Sequence, residues 1–301
     1  MDPVRRVLVH VCRGRAGPRP APFLQSVTGV FSGGDDQVEV PCSLDQNRFI
    51  VGGEDGGARV PLKRPPFCPI KHMSAAEMAA VPLQVQQRGV DVGVALVLHT
   101  ADGRVLLTRR AEDLRIFPNV WVPPGGHVEP DETRARGQLL DAGLRELQEE
   151  TGLKLEAEKV SPRILGLWES VYPPLLSWGP PQRHHVVVYL LLHSPLSHQQ
   201  LQASLNPAPG EVGACLWADR RLIRAIVSAV DGEDGEVDLE DLPSSISVSQ
   251  VSAEGALSDA SVPLAAFASR VPAQSPDTER VSTGTKFALE LWQQSLQTFD
   301  P

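Results

Sequence analysis

Glu146, Glu149 and Glu150 follow one another at offsets of three and four residues. On a helix, that spacing places all three carboxylates on one face. Left alone they would repel, so they call for solvent or a cation, and a hard divalent ion is what an all-oxygen donor set suits. Magnesium takes a few carboxylates, keeps waters and completes its shell with substrate phosphates, so such a face can hydrolyse a phosphoanhydride. Arg145 can reach Glu149 on the next turn or swing back toward Glu132, which gives it an orienting role. A general base is also needed, and Glu146 and Glu211 are both candidates. Glu211 has the plainer reading of a loop acid ahead of a strand.

Several elements must position this face. The pattern Leu139–Thr151 predicts a helix, closed by Gly152 where a left-handed cap is expected. Ahead of it, Pro123-Pro124-Gly125-Gly126 lets the backbone bend sharply after a strand at Val120–Val122. Gly93–His99 and Arg104–Thr108 read as strands joined through Asp102-Gly103, the usual hairpin chemistry. Ile164–Val171, His185–Leu192 and Val212–Trp217 are further strands, with a Pro-rich loop from Pro173 to Pro181 and a helix at Arg221–Val230. These lie in an expected main domain of residues 86–230. Residues 1–85 read as a small β-rich region with runs at Val38–Val40 and Arg48–Val51 and a short helix at Met73–Ala80. Residues 231–279 are acidic and Ser-rich, have little to bury and are expected to form a mobile linker. Residues 280–301 are expected to form a helix, capped by Thr283 or Thr285, that docks through Phe287, Leu291 and Leu296.

The segment from Gly126 to Leu153 resembles the box of the Nudix hydrolase family, Gly-x5-Glu-x7-Arg-Glu-(apolar)-x-Glu-Glu-x-Gly-(apolar), with every fixed residue in order. It departs at one place: twelve residues, rather than seven, separate Glu132 from Arg145, the surplus being Arg134-Ala135-Arg136-Gly137-Gln138. The insert enters where loop becomes helix, so it can bulge outward without rotating the Glu face; deeper in the helix it would turn that face by well over a right angle. The metal site is therefore expected to survive. The resemblance implies an α/β/α sandwich around a mixed β-sheet, an α/β fold. It also implies magnesium on Glu146, Glu149 and Glu150, and catalysis by Glu146, Glu149, Arg145 and Glu132, the last supporting the loop or an outer contact.

Arg109, Arg110 and Arg115, with Gly125 and Gly126, are the expected substrate contacts. Leu106-Leu107-Thr108-Arg109-Arg110-Ala111 with Arg115 resembles a coenzyme A pyrophosphatase signature, departing at Asn119 and Pro123 where that signature has Gly and Phe. Longer stretches resemble a vertebrate Nudix subgroup: Arg64–Pro69, Gly89–Asp91, Trp121–Val128, Leu165–Ser170, His184-His185 and Arg280–Leu289. That likeness implies magnesium- or manganese-dependent decapping of methylated messenger RNA with release of 7-methyl-GDP. Trp121, Trp168, Tyr172 and Trp178 are candidates to stack a cationic base, with Trp121 better read as core. His184 and His185 alternate faces of a strand, so at most one faces any given site. The alternatives are a coenzyme A or other nucleotide-conjugate diphosphatase, and a non-catalytic ligand-binding module; the full Glu set favours an enzyme.

Composition agrees with a nucleotide-conjugate substrate. A formal net charge of −9 argues against general affinity for nucleic acid, while a small polyanion held through a metal is compatible with it. No apolar run has the length of a membrane span, and Met1–Arg15 lacks the apolar stretch of a secretory signal, so a cytoplasmic protein is expected. Cys12, Cys42, Cys68 and Cys215 form no Cys-x-x-Cys pair, as suits reduced thiols. Cys68 and His72 stand at ligand-like spacing, but zinc would need two more ligands, so ordinary burial is the expectation.

Overall fold

Val9 and Val11, alternating with Leu8, His10 and Cys12, make the first strand, β1 (Leu8–Cys12), whose two valines are buried. In the computed structural model the described residues are all except 1–5, 15–16, 54–57, 130–137, 157–160, 240, 272–277 and 298–301. Along the chain follow β2 (Arg19–Pro20), α1 (Val27–Ser32), β3 (Gln37–Asp45), β4 (Arg48–Gly52), β5 (Arg59–Lys63), α2 (Pro69–His72), α3 (Ala75–Ala80) and α4 (Leu83–Gln86). The middle of the chain holds β6 (Asp91–His99), β7 (Val105–Arg110), β8 (Val120–Val122), β9 (Gly125–His127), α5 (Gln138–Thr151), β10 (Arg163–Tyr172) and β11 (Arg183–His193). The last elements are α6 (His198–Gln202), β12 (Val212–Ala218), α7 (Arg220–Ser228), β13 (Ser245–Val251), β14 (Leu257–Pro263), α8 (Leu264–Phe267), β15 (Arg280–Val281) and α9 (Thr283–Gln297).

The chain divides into two compact units. One comprises Met1–Val94, Gly126–Ala142 and Ile164–Tyr189; the other comprises Ala95–Gly125, Gly143–Arg163 and Leu190–Pro301. In the first unit β1 runs parallel to β4 and antiparallel to β2, and β3 pairs antiparallel with both β4 and β5. β5 continues the sheet parallel to β10 through Leu62–Leu167 and Lys63–Trp168. The buried carboxylate of Glu169 on β10 accepts the Ser26 hydroxyl at 2.9 Å and the N–H groups of Val27 and Thr28 at 2.9 and 2.8 Å. It therefore caps α1 from outside the helix, since first-turn N–H groups have no partner of their own. The predicted helix near Met73–Ala80 begins instead at Ala75, with Ser74 as its N-cap in a reciprocal capping box with Glu77. Cys68 is buried beside Ile70 and Val171, whereas His72 turns to the Pro66 carbonyl at 2.6 Å, so the two residues do not converge.

In the second unit β7 pairs antiparallel with β8 and β12, and β15 runs parallel to β8. Both units thus carry mixed strand pairing with helices against it, the α/β class expected. The turn between β6 and β7 closes through the Thr100 hydroxyl, which accepts the Arg104 N–H at 2.9 Å, with Gly103 at φ +78°. The acidic, Ser-rich stretch expected to be a mobile linker contains β13 and β14, an antiparallel hairpin that extends the sheet from β12. Its apolar signal was sparse among serines: Val248, Val251 and Val262 are buried while Ser245, Ser247, Ser258, Asp259 and Ser261 are exposed. Asp231, at the head of that stretch, is buried on the Lys286 ammonium of α9 at 2.6 Å. The α9 cap is Ser282, whose hydroxyl accepts the Thr285 N–H at 3.0 Å, rather than Thr283 or Thr285. Leu291 and Leu296 are only half-buried; the fully buried residues of α9 include Phe287, Leu289 and Trp292.

Candidate active site

Two features of sequence fix the pose of α5 within the second unit. Gly143 lies so close to Leu96 that an added Cβ would stand 2.6 Å from its Cδ2, so the helix rests directly on β6. At the other end Gly152 takes φ +73° and donates its N–H to the Gln148 carbonyl at 2.8 Å. The last carbonyls of the helix are taken up by the segment between α6 and β12: Asn206 N–H bonds the Thr151 carbonyl at 2.9 Å and Ala208 N–H bonds the Glu150 carbonyl at 3.0 Å. Leu147 is fully buried on the inward face, which leaves the Glu residues on the other side of the helix and at its edge.

The expected carboxylates share this helix, but among the described residues they are not a group whose ligand atoms meet within 4.8 Å of one another. The Arg145 guanidinium donates to Glu146 at 2.8 Å and to Glu149 at 2.9 Å, bracing two of the three. Glu149 is the exposed member, with 54% of its side chain accessible, while Glu150 is buried at 6%. One Glu150 oxygen accepts the Gly125 N–H. Its Oε2 has no hydrogen-bond partner among the described residues. Burial, reinforced by the Glu146 charge and by Glu211 and opposed by Arg110, pushes the Glu150 carboxyl up to about 8. Burial also raises Glu146, against the pull of Arg145. An all-oxygen donor set on one helix, with one buried, unpartnered oxygen and two carboxyls resisting ionisation, has the chemistry a hard divalent cation would satisfy once side chains turn toward it. Glu211, read from sequence as a loop acid, belongs to this group electrostatically, since its charge acts on Glu146, Glu150 and Arg110.

The two arginines at the end of β7 diverge. Arg110 is turned toward Glu150 and Glu211 and is anchored by donation to the carbonyls of Ile116 and Phe117 at 3.1 Å. Arg109 instead pairs with Glu279 at 3.1 Å, donates to Gln250 at 3.0 Å and lies 5.9 Å from the centroid of the Trp121 ring. Glu279 also accepts the Trp121 indole N–H at 2.9 Å. Glu279 and Gln250 had no signal in the sequence, because both come from the stretch read as linker or its border. Arg115 is exposed on the loop after β7. Gly125 serves the site through its backbone, and the Gly126 carbonyl would be 3.4 Å from a Cβ on Gly93, within the first unit. Glu132 and insert residues 134–137 lie outside the described residues, and Gln138 is the first residue of α5. An open cleft of about 590 Å³ borders Glu149, with Lys154, Asn206 and the Glu254-Gly255 turn of the β13–β14 hairpin in its walls.

Of the four aromatics, Trp121 and Trp168 are buried, and Tyr172 and Trp178 are half-buried. The alternation expected at His184 and His185 is present: His184 is buried between the Phe23 carbonyl at 2.7 Å and Glu169 at 3.0 Å, while His185 lies near Asp91 and His127. That second group was not foreseen, because its members come from three separate strands.

Residues 89–230 match the model of the NUDIX domain. The chain is 56% identical to the m7GpppN-mRNA hydrolase NUDT17 of Danio rerio, over 99% of this chain and 98% of the relative. It is 47% identical to the protein of that name from Xenopus laevis, over 99% and 98%. To the Homo sapiens protein it is 43% identical, over 94% of this chain and 87% of the relative. With the box residues gathered on α5 and likeness of this extent along almost the whole chain, the protein belongs to the Nudix hydrolase family.

Proposed function

We propose that this chain is a decapping enzyme, hydrolysing m7GpppN-capped messenger RNA with magnesium or manganese held by Glu146, Glu149 and Glu150. The observation that carries this reading is the carboxylate set itself, whose Glu150 Oε2 is buried without a hydrogen-bond partner among the described residues, in a chain akin throughout to relatives named for that substrate. Nudix hydrolases in general use divalent metals; such an ion, when bound, screens phosphate charge and makes water easier to deprotonate. Arg145 holds Glu146 and Glu149 in place, and Gly125 ties the Gly-rich turn to Glu150. Glu132, by the family pattern alone, is assigned the support of the loop or an outer contact. Glu146 or Glu211 takes the proton of the attacking water as its oxygen bonds to phosphorus. The anhydride P–O bond breaks, and the two products are 7-methyl-GDP and an RNA ending in a 5′-monophosphate. Arg110 and Arg115 supply positive charge toward the phosphates, and Arg109 does so on leaving Glu279. We place the setting in the cytoplasm; no described helix is long and apolar enough to cross a membrane.

Coenzyme A is the second reading, and one observation favours it. Asn119, which replaces a Gly of the coenzyme A signature, has φ +56°, the left-handed conformation that Gly adopts freely and Asn tolerates best among other residues. The test is a substrate panel of capped RNA, coenzyme A esters and NADH, run with magnesium and with manganese on wild type and Glu149→Gln. Capped RNA should be turned over fastest and yield 7-methyl-GDP, with Glu149→Gln strongly impaired. Faster cleavage of coenzyme A would replace the substrate assignment, and equal turnover by the variant would sink the mechanism.

A further inference from the structure

We propose that Asp91, His127 and His185 form a second metal site, which takes a transition ion of the zinc class rather than magnesium. The reading is independent of the proposed substrate, because none of the three residues belongs to α5. One carboxylate oxygen and one nitrogen from each imidazole lie within 4.8 Å of one another. A shared ion would draw such atoms to roughly 3–3.5 Å apart, given metal–ligand bonds of about 2.1 Å. Small side-chain rotations cover that difference, and His127 is exposed on β9.

The backbone builds this arrangement deliberately. β9 pairs with β6, where the Val128 N–H bonds the Val92 carbonyl at 3.2 Å. β11 lies along β6 as well, close enough that a Cβ on Gly93 would stand 3.7 Å from Val187. Asp91 and Gly93 share one face of β6, and His185 and Val187 share one face of β11, by the period of two. The absence of a side chain at Gly93 therefore lets the three strands bring Asp91, His127 and His185 to a common point. The His127 and His185 rings already stand 5.5 Å apart between centroids.

The charges around the cluster choose among ions. Arg6 donates to Asp91 Oδ1 at 2.6 Å, and Arg88 and Arg183 also act on this carboxylate. These cations oppose a hard ion that binds by charge alone. They oppose less effectively an ion whose bonds to imidazole are strong, and two histidines with one carboxylate is a donor set that favours zinc, cobalt, nickel or iron over magnesium. In the ion-free protein Arg6 neutralises Asp91; on binding, the ion takes the other carboxylate oxygen or displaces Arg6.

Cobalt(II) titration of the full-length, metal-stripped chain in excess magnesium tests the site, since magnesium fills the α5 carboxylates and cobalt on mixed nitrogen and oxygen ligands absorbs in the visible. Wild type and Glu150→Gln should each bind one equivalent with saturable visible bands that zinc removes, and zinc should raise the thermal midpoint. His127→Ala and His185→Ala should both lose the bands. No saturable bands in wild type, bands retained in His127→Ala, or bands lost in Glu150→Gln would each overturn the proposal. Should His185→Ala fail to fold, the exposed His127 decides the matter.

Discussion

Glu150 concentrates the chemistry of the site in one residue. Its carboxyl is buried, stands near about 8 instead of about 4.5, and leaves one oxygen without a donor among the described residues. A carboxyl raised in this way is protonated in both states below its unfolded value. Between that value and 8 the folded chain keeps a proton that the unfolded chain has released, so stability is lost as pH rises through the window. Urea unfolding of the metal-free protein should therefore show falling stability from pH 4.5 to 8. Glu150→Gln should flatten that slope and be the more stable protein at pH 8, by on the order of a few kcal/mol. Added magnesium or manganese should restore wild type alone. The same substitution should lower turnover by roughly 10–100-fold or more, because a ligand position is lost. Equal pH slopes in the two proteins would show that Glu150 ionises freely.

At the scale of elements, α5 works because it lies almost in contact with β6. Gly143→Ala places a methyl 2.6 Å from the Leu96 side chain, so Leu96 or the helix must move. Thermal unfolding should register a loss of about 1–3 kcal/mol, and turnover should fall as the Glu face shifts. A variant as stable and active as wild type would mean that Leu96 gives way freely. The last residue of the insert Arg134–Gln138 is the first residue of the same helix. Deletion of the insert should leave metal affinity and turnover near wild type, since residues added at the start of a helix do not change the angular positions of Glu146, Glu149 and Glu150 on it. A large rise in turnover on deletion would show that the insert holds the site in poor geometry.

Across the whole molecule, the C-terminal helix is secured by charge as well as by apolar burial. The Lys286 ammonium donates to Asp231 at 2.6 Å, and to the carbonyls of Ala229 and Ser269 at 2.6 and 2.8 Å. Lys286→Met should cost about 3–5 kcal/mol in chemical denaturation by stranding Asp231, and pairing it with Asp231→Leu should recover much of the loss. A single variant with an unchanged midpoint would show that the pair contributes no stability. The residues that sequence made legible are those related by local periodicity: the α5 Glu face, the Gly152 cap, the β6–β7 turn and the opposed faces of His184 and His185. A fixed helical or strand repeat determines their relative directions whatever the rest of the chain does. Tertiary structure alone decided that Arg110 turns to Glu150 while Arg109 is taken by Glu279, that the Ser-rich stretch joins β12 as a hairpin, and that Asp91, His127 and His185 converge. Each of those depends on contacts between residues far apart in the chain, whose partners are fixed by which strands pair and in what register.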